Sequence, residues 1–244
     1  MKKEEYKLIY EFEQKYWWYR ALHELVIKII QQRFSSKSIN ILDAGCGTGQ
    51  LISKLQPFGI IEGIDYSQEA IYYCKQRGLE NVSIQDLNTW ETTKQYDVII
   101  SLDVLYHAAI EDDLLIVEKF KANLTKNGML ILNLPAFPML KRNHDIIVST
   151  KRRYKLKPLI KELQQRGFKI ELASYRVFPL FFIIFAQKIM EKVFNPKPTS
   201  DLKQLPNFIN RILLFYNRIE NFFILNIAKL HLGSSVFIVA TKEN

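Results

Sequence analysis

Cysteine is scarce. Cys46 and Cys74 are the whole complement in 244 residues, too few for a disulfide framework or a four-thiolate zinc site, and this points to a reducing compartment and to no metal centre. Long apolar runs are missing too. The opening MKKEEYKLIYEFEQ carries charges where an export signal needs an unbroken apolar stretch. The most apolar run, Val177 to Ala186, is closed by Gln187 and Lys188 at about half of the roughly 20 residues that cross a bilayer. The expectation is a cytoplasmic protein with no membrane span, peripheral contact with the inner face of a membrane being a further option.

What is present is the composition of a globular chain, with 48% hydrophobic and 24% charged residues. The formal net charge of +9 is uneven. Residues 1–137 hold 15 basic and 18 acidic side chains, whereas 138–176 hold 11 and 3. Two readings of this asymmetry stand side by side: attraction to an anionic partner (nucleic acid, a phosphate-bearing substrate or a membrane surface), and a merely solvated basic face.

From Ser38 onward, short β-branched runs alternate with helical patterns, the mark of an α/β chain with a doubly wound parallel sheet. Strands are predicted at Ile39–Asp43, Ile60–Asp65, Val82–Gln85, Asp97–Leu102, Met129–Leu134, Phe168–Ser174 and Val236–Thr241, and helices at Thr48–Gln56, Ser67–Arg77 and Glu111–Asn123. The expected organisation is a single domain over 1–244. A helical segment (1–34) precedes a core formed by 38–176 and 234–244, and an apolar helical insertion (177–233) sits between strands six and seven. Pro-rich Asn195-Pro196-Lys197-Pro198 and Pro206 break the insertion into two helices. In the second, Asn207, Asn210, Arg211, Asn217, Arg218 and Asn221 recur every three or four residues, so one wet face is predicted.

The first strand runs into Asp43-Ala44-Gly45-Cys46-Gly47-Thr48-Gly49 and then a helix, which places a glycine-rich turn where a nucleotide meets a helix N-terminus. Asp65 follows Gly45 by 20 residues, placed to accept hydrogen bonds from ribose hydroxyls, with Tyr66 beside it. Asp86 stands just past the third strand, at the edge suited to an adenine amino group. A dinucleotide dehydrogenase needs Gly or Ala at the sixth place of G-x-G-x-x-G, and Gln50 or Ile52 stands there instead.

Taken with GIDYS (63–67), QDL (85–87) and DVLYH (103–107), the DAGCGTG segment resembles the first motif of the class I S-adenosylmethionine-dependent methyltransferases. The resemblance implies a Rossmann-like, seven-stranded, mostly parallel sheet with helices on both faces and an antiparallel last strand beside the fifth, and S-adenosyl-L-methionine as cofactor. On that basis Gly45, Cys46, Gly47 and Gly49 belong to the loop around the methionine part, and Asp43 faces its amino group. Asp65 and Tyr66 hold the ribose end, Asp86 and Leu87 the adenine, and Leu102 and Asp103 lie beside the sulfonium. Trp17-Trp18-Tyr19-Arg20, His144-Asp145 and Arg152-Arg153-Tyr154 are similar to a bacterial branch linked to surface-polysaccharide, lipid or natural-product pathways. This implies an N-terminal lid, with Arg20 on the methionine carboxylate; Trp17 and Trp18 as core packing is the plainer alternative.

His107 is the candidate base, because imidazole titrates near neutrality; its plain alternative is to shape the pocket or cap a helix. His144, beside Asp145, and Tyr19 are weaker candidates. DNA is disfavoured, since no Pro-Pro-aromatic motif follows strand four, and the basic Lys151–Lys157 stretch, able to hold phosphate through paired arginines, is too thin for RNA. The function implied is methyl transfer to a small, hydrophobic or lipid-linked acceptor, with oxygen or nitrogen favoured over carbon. Rival readings are a non-catalytic cofactor-binding scaffold at a membrane or partner enzyme, and an RNA or protein methyltransferase. The insertion can roof the acceptor pocket, lie on a membrane or form a homodimer face.

Overall fold

The computed structural model describes residues 3–34, 38–194 and 205–243; the expected Pro-rich turn at Asn195–Pro198 lies outside them. Each predicted strand forms: β1 (Ile39–Ala44), β2 (Gly59–Asp65), β3 (Val82–Ile84), β4 (Tyr96–Leu102), β5 (Leu124–Pro135), β6 (Phe168–Arg176) and β7 (Ser235–Lys242). They make one sheet in the order β3-β2-β1-β4-β5-β7-β6. β1, β2, β3, β4 and β5 are parallel, and β7 runs antiparallel between β5 and β6, with Leu132 opposite Ile238 and Ile238 opposite Ala173. Helices on both faces cover the sheet, so the central strands are apolar throughout: Ile41, Leu42, Ile99, Ile100, Leu130 and Ile131 are fully buried.

Two helices, α1 (Lys3–Phe12) and α2 (Trp17–Arg33), precede the sheet. Within it come α3 (Gln50–Leu55), α4 (Gln68–Gln76), α5 (Asp113–Ala122), α6 (Asn143–Ile147) and α7 (Leu156–Gln165), and the insertion supplies α8 (Phe178–Phe194) and α9 (Asn207–Asn226). Local chemistry sets the ends. Ser67 caps α4 by accepting from the Ala70 N–H, and Asp112 caps α5 by accepting from Leu114 and Leu115. The third helix begins at Gln50 rather than the expected Thr48, because Gly49 adopts a left-handed φ of +81° at its N-cap.

The wet face expected on α9 holds at Asn207, Arg211 and Arg218, which are exposed, and fails at Asn217 and Asn221. Asn217, Glu220 and Asn221 are buried, while Phe208, Ile212, Phe215 and Phe222 are exposed. The inward polar groups are spent on the fold. Asn221 donates to the Ala21 carbonyl of α2 (2.8 Å) and accepts from Arg176 Nε. Asn210 accepts from the Trp17 N–H and donates to the Lys15 carbonyl. Glu220 accepts from the backbone N–H groups of Val177 and Phe178. That clamp fixes the joint into α8, where the β-branched Val177 holds a φ of +58°, a conformation that costs on the order of 1–3 kcal/mol.

Arg176 is the largest fully buried side chain, bonded to Asn133 Oδ1 and Asn221 Oδ1 and close to the charges of Glu220 and Asp103. Burial lowers its pKa to about 10, so it remains charged at neutral pH. Replacing it by Met strands these groups without their cation, and Arg176→Met is expected to lose about 3–5 kcal/mol of unfolding free energy. Chemical denaturation checks this, and a loss under about 1 kcal/mol would show that the network contributes little.

Candidate active site

A cavity of about 410 Å³ opens over the carboxyl ends of β1, β2 and β4, the usual ligand crevice of an open α/β sheet. Its floor is the glycine-rich turn. Gly45 takes a φ of +89° and passes so close to Val104 that a Cβ would lie 2.2 Å from Cγ2, so only glycine lets the turn bend there. The Gly45 and Cys46 N–H groups bond the Ile64 carbonyl, tying the turn to β2. The two cysteines are buried behind it, with their sulfurs 3.9 Å apart, and Cys74 Sγ contacts the Gly47 carbonyl.

Carboxylates surround this turn. Asp65 accepts from the Gly47 N–H and the Ser67 N–H (3.0 Å each). Its burial raises the pKa although these bonds oppose the rise; each oxygen keeps a further acceptor site for a hydroxyl. Asp43 is 3% exposed and lines the same cavity. Burial, Asp65 and Glu13 push its pKa up to about 7. Asp86 is exposed at the rim, accepting from Asn88 N and Nδ2, with Leu87 buried beside it.

The N-terminal segment covers the turn through a contact that motif reading missed. Arg77, at the end of α4, sends Nε to the Thr48 carbonyl (2.7 Å), Nη1 to Gln50 Oε1 (2.7 Å) and Nη2 to Glu13 and the Tyr10 carbonyl. Glu13 also accepts from the Thr48 hydroxyl. Tyr10 stacks on Tyr73 at 4.7 Å and lies under the guanidinium. Tyr6, Ile9, Glu13, Tyr16, Trp18 and Tyr19 thereby become cavity wall. Trp17 does both things expected of it: it touches the cavity, and it packs against Ala21, Val177 and Leu214.

Arg20 is placed elsewhere. It is not among the residues lining the cavity, and its guanidinium lies 3.9 Å from Glu24, one turn along α2. The side chain is about a third exposed and is directed along α2 toward Glu24, so Arg20 is not brought to the cavity wall with expected cofactor residues such as Asp43 and Asp65.

Tyr66, Leu102, Asp103, His107 and His144 all line the cavity. His107 does not have the character of a base. Its Nδ1 accepts from the Ala109 N–H (3.1 Å), which puts the ring proton on Nε2, and burial lowers its pKa to about 4. Tyr66 lies against it, with ring centroids 5.7 Å apart. His144 does not gain an orienting carboxylate from Asp145. That side chain is taken by Arg153 through two bonds (2.8 and 2.9 Å) and by the Arg142 N–H, which hold its pKa low against the upward push of burial. The Tyr19 pKa lies well above its ordinary value, chiefly through burial, so its hydroxyl stays protonated.

Asp103, like Asp43 and Glu13, is a cavity carboxyl whose pKa is raised to about 7. It sits at a φ of +57°, both its oxygens accept from Asn133 Nδ2 (3.0 Å), and burial lifts its pKa to about 7 against the Asn133 bond and the Arg176 charge. The first three cations of the basic stretch after α6 are engaged within the fold, while Lys155 and Lys157 are exposed. Lys151 bonds the Ile110 and Glu111 carbonyls, Arg152 pairs with Asp113, and Arg153 with Asp145. Tyr154 donates to Asp113 (2.6 Å). These residues staple the β4–α5 connection to α6, so the reading of paired arginines as a phosphate site gives way to a structural one.

The donor set fits S-adenosylmethionine. Asp43 and Asp65 are buried acids on the wall of one cavity, and Arg77 is spent on Glu13 and backbone, so a ligand bringing its own positive charge relieves a cost the fold carries. The methionine ammonium and the sulfonium are such charges. Asp43 would hold the ammonium, Asp65 the ribose hydroxyls, and Leu87 with Tyr66 the apolar faces of the base. Among the described residues, no group of three or more His, Cys, Asp or Glu side chains is placed to hold a metal ion.

Two expectations follow from this electrostatics. A cationic ligand beside Asp43 lowers its pKa, so below about 7 binding must expel a proton. Affinity for S-adenosylmethionine therefore falls as pH drops through 7, by up to about tenfold per unit. Calorimetric titration across that interval reads it, and a flat profile would remove Asp43 from the site. Separately, Asp65→Ala should weaken cofactor binding by about 1–3 kcal/mol, and undiminished affinity would contradict its assignment.

Comparison with known proteins agrees with this geometry. Residues 35–194 match the family model described as a methyltransferase domain. The chain is 30% identical over 105 residues to the ubiquinone biosynthesis O-methyltransferase of Haemophilus ducreyi (38% of this chain, 44% of that protein). It is 29% identical over 100 residues to the trans-aconitate 2-methyltransferase of Mycobacterium tuberculosis (40% and 36%). The matched stretch thus spans less than half of either relative's length. In fold it is similar to the plantazolicin methyltransferase solved with S-adenosylhomocysteine and a triazolic analog, at a TM-score of 0.62 and 16% identity over 99% of this chain and 91% of that one. It is also similar to the magnesium protoporphyrin IX methyltransferase of Synechocystis, at a TM-score of 0.56 and 16% identity over 91% and 82%. With the matched domain covering well over half of its length and the cofactor loop in place, the chain belongs to the methyltransferase domain family, in its class I S-adenosylmethionine-dependent group.

Proposed function

We propose that the protein transfers a methyl group from S-adenosylmethionine to the oxygen or nitrogen of a small, hydrophobic or lipid-linked acceptor. The observation that supports this reading best is the composition of the cavity beyond the cofactor turn. There Trp18, Tyr19, Val148, Leu180 and Ile184 supply apolar wall, interrupted by Arg142, His144, Thr150 and Arg153, with the half-buried Asp103 on the same cavity. Such a chamber favours an apolar molecule with one reactive polar atom.

When bound, S-adenosylmethionine supplies an electrophilic methyl group, displaced in line. The work left to the chain is to position the acceptor and keep water out. Leu180 and Ile184 of α8 line the cavity, which supports the reading of the insertion as a roof over the acceptor. An acceptor O–H or N–H must lose its proton as the new bond to carbon forms, and Asp103 receives it, its pKa of about 7 suiting a base at neutral pH. His107, with Nδ1 occupied, offers Nε2–H as a donor.

Incubation with methyl-labelled S-adenosylmethionine and extract of the native host tests the reading: label is expected in the organic phase, and label confined to the aqueous phase would contradict an apolar acceptor. At saturating cofactor, turnover should rise with pH along a limb set by Asp103, lying below the value of about 7 it has without the cofactor's charge, and Asp103→Asn should lower turnover by about 10²–10⁴-fold. Full turnover in that variant would remove Asp103 as the base.

A further inference from the structure

We infer that the outer faces of α8 and α9 form a docking surface for an anionic lipid membrane. On α8 the outward positions are Phe182, Ile189, Met190 and Val193, each more than half exposed. On α9 they are Phe208, Ile212, Phe215 and Phe222, likewise. Exposed Phe, Ile and Met recur along both helices, more densely than the scattered apolar residues of an ordinary surface. Neither helix is long and apolar enough to cross a bilayer, which leaves a helix lying in the interface as the matching mode.

Charge decides between lipid and a second copy of the chain. The acidic residues of these helices, Glu191 and Glu220, are turned inward, Glu191 onto the Asn143 N–H and Glu220 onto Val177 and Phe178. Lys192 and Arg211 are exposed, as are Lys28, whose ammonium stands 5.9 Å above the Phe222 ring, and Lys229 just past α9. Neither α8 nor α9 turns a carboxylate outward, and the partly exposed Glu24 of α2 beside α9 is held by Arg218 (2.7 Å), so the apolar positions and their flanking cations complement anionic headgroups. Two such faces brought together would set cation against cation in a chain already at +9.

The placement has a consequence for acceptor access. Leu180 and Ile184 look into the cavity from the same helix that presents Phe182 and Ile189 outward, so a lipid-borne acceptor reaches the site along α8. That route rests on the proposed apolar acceptor; the docking itself does not.

Flotation of the full chain with phosphatidylcholine vesicles, and with vesicles of phosphatidylcholine and phosphatidylglycerol in equal parts, tests the surface. The protein is expected to float with the anionic vesicles at low salt and to be released by high salt. Arg211→Ala should weaken binding about fivefold. Phe215→Ser with Ile219→Ser, and separately Ile189→Ser with Val193→Ser, should abolish flotation while melting temperature and S-adenosylmethionine affinity are kept. Absence of flotation with either vesicle, from a protein that still binds the cofactor, would overturn the inference and leave the methyltransferase reading standing. Dimers that the Phe215 and Ile219 substitutions dissociate, without flotation, would overturn it in favour of a second copy.

Discussion

The site depends on one buried ion pair. Arg77 lies at the end of α4 and Glu13 just beyond α1, separated by 64 residues, and they meet with side chains only 6% and 5% exposed. Between them they hold the Thr48 carbonyl and hydroxyl and the Gln50 amide oxygen. One guanidinium thus orders the start of α3 and seats the N-terminal helices on the glycine turn. An ion pair this deep contributes little by charge attraction alone, but either partner left alone would be a buried charge without compensation. The contact therefore favours one arrangement of turn and lid.

The cavity so enclosed is electrically incomplete. Burial has raised the proton affinity of Asp43, Asp65 and Asp103, and Arg77 and Arg176 are engaged with protein groups. A ligand carrying positive charge at its amino acid end and its sulfur is the complement of that wall. The same low-dielectric setting keeps Tyr19 and Tyr106 protonated and His107 neutral, and of the cavity carboxyls raised to about 7, Asp43 and Glu13 lie at the cofactor turn, so Asp103 is the one at the end of β4 able to exchange a proton with an acceptor. The acid-base role thereby moves from the imidazole, where side-chain type alone points, to a carboxyl whose surroundings shift it.

The strand order and the cofactor turn were legible because they rest on local patterns: β-branched runs, helical periodicity and glycines at fixed offsets. The Glu13–Arg77 pair was not legible, since nothing in either neighbourhood names its partner. On α9, periodicity showed that two faces differ but not which turns inward. The asparagine face was read as wet, yet Asn210, Asn217 and Asn221 meet backbone carbonyls of α2, α9 and the segment between α1 and α2, and the apolar face is left outside. The arginines after α6 looked like a phosphate grip until Asp113 and Asp145 came within reach through the fold.

Hydrogen–deuterium exchange with and without S-adenosylmethionine tests the central claim most directly, because it reads the turn and the lid together. Protection is expected to rise in the turn from Gly45 to Gln50 and in the Tyr6–His23 wall at once, with the outer face of α9 unchanged. Exchange that does not alter on adding the cofactor, or protection of the turn with no change in the N-terminal segment, would contradict a cofactor cavity closed by the Glu13–Arg77 contact.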